Sequence, residues 1–485
     1  MSADGRGSAG RSGRRVRDAE VVRRRRTPRL DLVSALAVVV PLVTVGALAG
    51  VRHPPVHDQT HPPSLTSLTD SAIVCPGAVP AAPDAWVSTA SGHQGSVSVT
   101  ADGRQSSTPV RNGVLAPVPA AGAVVVRGSD ALAPGLLGLR AGTAPLTTQT
   151  CSVPASEQWF TGIGSGPEHD SVIELVNPDS GRADVDITLY GRRSFSVRKL
   201  RGITIPAHRT VSLDLGAIVP RRLVLSAQVQ VSRGRLAVHV LDRRTDLTTH
   251  KTTSEWLPRQ DAPALDNRLI GLPAGVGRRT LQIANPSEDQ VRAQIKVVTG
   301  DTTFAPAGLD TVSVPPGTTV EVPLTKVLGK ALQDGALGIR VLADGPVTAS
   351  VATQLAGDEA LTVADPVVRH EAATLLPVAP AKPVHGGGKP SPVTATLYLA
   401  ADSAGAAQVT AYDASGKQLL SQRVAQALGQ TVRVALPAET AFLTVAPQGT
   451  ELRGSVVLTG DGASVVPLSE LLTQGLVPQI GPGLN

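Results

Sequence analysis

Few side chains in this chain are spaced for chemistry, and each candidate set carries its own contradiction. Glu168-His169-Asp170 places two acids around a base, the raw material of general acid–base catalysis. The glycines just before it, Gly162, Gly164 and Gly166, fall short of the dinucleotide fingerprint and lie in no βαβ pattern. His385-Gly-Gly-Gly-Lys389-Pro390-Ser391 is close to the end of a phosphate loop, but Pro390 separates lysine from serine, and an alternating run follows where a helix is required. His53, His57 and His61 recur every four residues beside Asp58. On a helix they would share a face and could hold a metal, but Pro54, Pro55, Pro62 and Pro63 oppose a helix. Neither H-E-x-x-H nor G-x-S-x-G occurs. No catalytic set, cofactor motif or metal site emerges, and the expectation is a protein that is not an enzyme.

The remaining conspicuous residues read as structure. Cys75 and Cys151 are the only cysteines. In an oxidising compartment they form one disulfide, and closing a loop of this length is worth roughly 4 kcal/mol on the chain-entropy model. Asn177-Pro178 and Asn285-Pro286 read as hairpin turns, because asparagine bonds its own backbone and proline presets φ. Arg192-Arg193, Arg221-Arg222 and Arg243-Arg244 make one stretch locally basic, a surface that anionic polymers could meet. Aromatics are 2% of residues, which weakens a sugar-stacking surface without removing it. Tyr190 and Tyr412 sit at equivalent repeat positions, and Trp86, Trp159 and Trp256 near junctions, where packing is the expected role.

These residues are carried by a repeating unit. Residues 173–190 (IELVNPDSGRADVDITLY), 281–298 (LQIANPSEDQVRAQIKVV) and 396–412 (TLYLAADSAGAAQVTAY) each join two alternating runs by a turn. Around each copy stand further alternating runs, about seven short strands per 100–110 residues, with turn signals every 8–12 residues. Period-2 alternation gives each strand one buried and one wet face, so the expected fold is mostly β, a tandem of immunoglobulin-like β-sandwich modules. With so few aromatics, the cores must be Val, Leu, Ile and Ala. The expected divisions are a short disulfide-bearing module at 73–155, missing a strand, and sandwiches at 156–258, 259–368 and 369–485. Helix is expected at the N-terminus and in short turns near 216–222, 324–333 and 467–473.

The N-terminus differs in kind. Residues 1–30 hold ten arginines against three acids, +7, so the rest of the 485-residue chain sums to −1 although the whole is +6. The body is therefore no basic nucleic-acid binder. Leu32 to Val51 is twenty residues without a charge, enough at 1.5 Å each to cross a hydrocarbon core about 30 Å thick. The arginine cluster before it puts residues 1–30 in the cytoplasm, a single transmembrane helix at 31–51, and the body outside the cell membrane. Cleavage of a signal peptide near Ala47-Leu48-Ala49 is the alternative; it too exports the body. Residues 52–72, rich in Pro and His, read as an extended stalk.

The chain resembles a family of uncharacterised actinobacterial envelope proteins defined by a domain of unknown function. The likeness rests on the basic N-terminus, the apolar segment, Cys75-Pro76-Gly77, the second cysteine followed by Trp159, and the repeats Leu175-Val-Asn-Pro178 and Ile283-Ala-Asn-Pro286. The last repeat departs from the pattern, with Ala-Ala-Asp at 400–402 where Asn-Pro would stand. The family implies no activity and no site residues. The functional expectation is a membrane-anchored extracytoplasmic scaffold or interaction protein of the cell envelope, partnered by envelope proteins; a binding module for wall or surface polysaccharide is the alternative.

Overall fold

The structure, a computed structural model, describes residues 32–50, 64–143, 145–309, 311–355, 357–377 and 392–477. The arginine-rich segment, the histidine triplet and the Gly-Gly-Gly-Lys stretch lie outside the described residues. Two compact units are present, and the body, residues 64–477, is one of them.

In the other unit, α1 (Leu32–Gly50) is a 19-residue helix free of charge, with Pro41 inside it. Side chains are described continuously only over 35–48. Among the described residues no helix is long and apolar enough to cross a membrane.

The body is mostly β. Its strands fall into four sets that repeat one order. In the second set the strands are Glu157–Ile163, His169–Val176, Ala183–Gly191, Ile203–Ile205, Thr210–Asp214, Leu225–Arg233, Ala237–Thr245 and Thr252–Leu257. Counted along the chain, one sheet has the order 1-6-3-4 and the other 5-2-7-8. The first set (Asp70–Cys75 to Leu146–Thr150) and the fourth (Ala372–Leu375 to Gly462–Pro467) have the same two sheets. In the third, the sixth and seventh strands are fused into Gly338–Leu355, which runs 18 residues through both sheets and joins them. The inward residues of each paired set form one apolar cluster. In the second module Val185, Ile187 and Leu189 of one sheet meet Ile173, Leu175 and Val240 of the other. Fully burying each such side chain is worth about 1.5–3 kcal/mol.

Five expectations change here. The first module lacks no strand. The central pairs 2–5 and 3–6 are those of an immunoglobulin sandwich, but the first strand lies beside the sixth and the seventh beside the second, so the edges are exchanged relative to that fold. The repeated strand–turn–strand unit is not a hairpin: in every module strands 2 and 3 belong to different sheets, and the turn is an arch over the edge of the core. True hairpins join strands 3–4 and 7–8, as Val99↔Ser106 and Arg243↔Ser254 register shows. Residues 64–72 are not stalk either. Ser64–Ser67 pairs antiparallel with Gln474–Val477, bringing the two ends of the body together, and Asp70–Cys75 is already the first strand of a sheet. Short helices do occur at Leu215–Ile218 (α2) and Thr325–Gln333 (α3), but the described residues near 467–473 are not helical.

The four modules close on one another. The eighth strands, Leu146–Thr150, Thr252–Leu257, Asp358–Val363 and Gly462–Pro467, each pack against two others, first on second, second on third, third on fourth and fourth back on first. Apolar contacts complete each junction: Val74 with Val176 and Ala237, Leu361 and Val363 with the second core, Ile270 with Ala400, and Leu139 with Leu375 and Phe442.

Candidate functional site

The arches explain the Asn-Pro pairs. Asn177 is buried, and its Nδ2 donates to the carbonyls of Gly181 (2.8 Å), Ile205 (3.1 Å) and Pro206 (3.1 Å). Asn285 repeats this with Asp289 (2.7 Å), Val314 (3.0 Å) and Pro315 (3.3 Å). Each Oδ1 accepts from the backbone two residues on, Asp179 or Ser287. One amide thus fastens the arch to the loop between strands 4 and 5, which leaves its N–H donors no capacity for a ligand. The arches also reach the preceding module. Arg127 of the first module bonds Asp179 at 3.1 Å, and Arg268 of the third meets Asp402, in the divergent arch of the fourth, at 2.5 Å.

Cys75 and Cys151 are joined as a disulfide. It ties the first strand of its module to the residue that leaves the eighth. Gly77 of the Cys-Pro-Gly segment donates its N–H to Glu174 of the second module at 3.0 Å, and a Cβ there would lie 2.9 Å from the Glu174 carboxylate. A larger residue there would have to push the end of the Glu174 side chain aside.

The acid–base triplet does not act together. Alternation sends its neighbours to opposite faces. Glu168 is exposed, Asp170 pairs with Arg243 at 3.3 Å, and His169 turns into the core. There His169 Nδ1 bonds the Leu223 carbonyl (2.9 Å) and Nε2 faces Asp242 (2.9 Å), while Ser171 Oγ donates to the same Asp242. Serine, histidine and aspartate are all present, but the aspartate stands between the other two. The serine hydroxyl donates to the carboxylate and not to the imidazole, and both imidazole nitrogens are engaged elsewhere, so this is no nucleophilic triad. The network continues outward instead: Arg244 approaches Asp242 at 3.6 Å and pairs with Glu359 of the third module at 2.6 Å. Of the other basic pairs, Arg192 lies 3.6 Å from Glu321 and Arg222 sits over the Phe195 ring, while Arg193 and Arg221 are exposed at the surface. The aromatics pack as expected: Trp159 stacks on Tyr190 at 5.8 Å, and Trp256 is buried against Val79 and Ala82 of the first module.

Where the eighth strands meet, the contacts are polar. Glu255 of the second module is buried, and its Oε1 accepts from the Thr148 N–H of the first (3.1 Å) and the Ser464 hydroxyl of the fourth (3.2 Å). Thr148 and Ser464 bond each other at 2.5 Å. Asp358 of the third accepts from Ala463 N at 2.7 Å, and a Cβ on Gly462, at φ 111°, would collide with its carboxylate. No cation is among the groups acting on Glu255; its charged neighbour is Asp358. Burial therefore pushes Glu255 well above the carboxylate range and raises Asp358 as well. Burial also raises Glu359, and it pushes Asp365, bonded to Ile270 N at the third–fourth junction, up to about 8. None of these carboxyls was legible as a site in the sequence.

Beyond the strand ends lies a cavity of about 400 Å³. Its wall is built from the segments that leave each eighth strand: Cys151–Val153, then Pro258, Arg259 and Asp261, then Pro366, Val367 and Arg369, and finally 467–472. One signal could have found it: a proline follows or closes the eighth strand of every module, at Pro154, Pro258, Pro366 and Pro467. Arg259 is exposed to this space yet surrounded by protein, which lowers its pKa; Asp261 opposes that only partly. Among the described residues no group of three or more His, Cys, Asp or Glu is placed to hold a metal.

No curated protein matches the chain. A family model does: residues 99–437, well over half of the 485 and reaching into all four modules, match the family of unknown function DUF5719, and the chain belongs to that family.

Proposed function

We propose that this protein is a membrane-anchored extracytoplasmic scaffold or interaction protein of the cell envelope, held by the apolar segment at 32–51 with the arginine-rich N-terminus in the cytoplasm. The observation that carries the scaffold reading is ring closure. Four modules of one topology lock onto a shared axis, and the strand entering the body pairs with the strand leaving it. Such a body resists bending between modules and presents several arch and loop surfaces in fixed relation, which suits a platform. The uncharged stretch and the disulfide support export. Protease treatment of whole cells, followed by cross-linking and affinity recovery, tests the reading. Digestion of the body from outside and recovery of envelope proteins are expected; protection of the body in intact cells, with digestion only after lysis, refutes it.

A second reading, binding of wall or surface polysaccharide, is favoured by a polar groove of about 500 Å³ between the first and second modules. Ser98, Thr100, Gln105, Arg127 and His208 line it, a donor and acceptor set suited to sugar hydroxyls. Co-sedimentation with purified wall polymer, weakened by Gln105→Ala together with Arg127→Ala, is its test.

A further inference from the structure

We propose that the axial cavity is a binding site for a small oxyanion, a carboxylate or phosphate group, with Arg259 as its principal donor. The site is independent of where the protein resides.

Three features converge. Arg259 presents a planar set of five N–H donors to a space ringed by all four modules, and among the described residues no carboxylate lies in ion-pair range of it. The other charges of the wall are engaged: Arg369 pairs with Glu451 at 2.9 Å, and Glu470 accepts the backbone N–H groups of Arg369 and His370. Asp261, two residues along, acts on Arg259 across space without forming an ion pair. A guanidinium that lines a cavity and has no carboxylate in ion-pair range is stabilised by an incoming anion, through charge-assisted and often bidentate bonds. Ile73, Leu137 and Leu472 supply an apolar wall for a short carbon skeleton, and the volume suits a small molecule.

The test uses the full chain in detergent. Binding of sodium phosphate and of sodium butyrate is measured by calorimetry and thermal shift, each against sodium chloride at matched ionic strength. We expect at least one oxyanion to bind and raise Tm where chloride does not, with affinity falling about tenfold or more in Arg259→Gln and partly restored in Arg259→Lys. Phosphate alone, or butyrate alone, identifies the group the site takes. Ser469→Trp, on an exposed position of the cavity wall, is expected to block binding by filling the cavity, and it decides the matter if the arginine variants do not fold. Binding of neither oxyanion above chloride, or binding unchanged in Arg259→Gln and Ser469→Trp, overturns the proposal.

Discussion

Asn177 and Asn285 show how one residue type serves the fold twice by the same geometry. Each gathers carbonyls that belong to two separate loops, and each is buried, so water cannot replace the amide. Replacing either by alanine should cost about 2–4 kcal/mol, the loss of several bonds plus carbonyls left unsatisfied, read as a drop in the urea midpoint. Aspartate should be worse than alanine at these positions, because it turns a donor into an acceptor facing three carbonyl oxygens. The pairs were legible in the sequence as turn formers. Their role as clamps was not, since the bonded carbonyls lie near residues 205 and 314, about 28 residues further along. His169 shows the converse: its sequence neighbours Glu168 and Asp170 never meet it, and its partner is Asp242, across the sheet.

At the level of strands and links, the disulfide ties the entrance of the first module to its exit beside the axial cavity. Cys75→Ser paired with Cys151→Ser should lower stability by about 2–4 kcal/mol, measured by denaturant unfolding with and without reductant. Reductant should then leave the variant's midpoint unmoved. Alternation exposed the strands: Ala183–Gly191 buries Val185, Ile187 and Leu189 as its pattern requires. Which strand each one joins was not exposed. A turn of five or six residues can fold two strands into a hairpin or carry the chain over to the opposite sheet. The arch at 177–182 does the second because Val185 pairs with Ile203 and Val231, not with strand 2. The third module goes further, and Ala343-Asp344-Gly345, which has the composition of a turn, runs on as continuous strand.

Across the whole molecule, the ring is closed at carboxyls whose pKa burial between the docked modules raises. A carboxyl whose folded pKa is raised binds its proton more tightly in the folded state, so its stabilisation is complete below the unfolded value near 4 and is lost as pH rises through the folded value. For Asp365 that window extends to about 8, and Glu255, Asp358 and Glu359 act in the same direction. Asp179 opposes them at the acid end, because hydrogen bonds from Arg235 and Arg127 hold it below the usual range. Stability should therefore peak at mildly acidic pH and decline by a few kcal/mol in order of magnitude between about pH 5 and 8, with the salt bridges failing below about pH 4. Thermal melts across that range check the shape. Glu255→Gln keeps the accepting oxygen at Thr148 and Ser464 without a titrating proton, so its profile should flatten; an unchanged decline in Glu255→Gln together with Asp365→Asn would remove these groups as its cause.

The features legible in the chain before it folds are local: period-2 runs, turn residues, a repeat, a charge-free segment behind an arginine cluster, and two cysteines with only each other to meet. Those follow from the stereochemistry of neighbours and need no knowledge of distant partners. The exchanged strand order, the arches, the closure of four modules on one axis, and the burial of Glu255 between three of them came from tertiary contacts. Each of these depends on which surfaces meet after the chain has travelled well beyond its next turn, from 28 residues at the Asn177 arch to 316 between Thr148 and Ser464. An exposed and a buried glutamate look the same in a strand until its neighbours arrive.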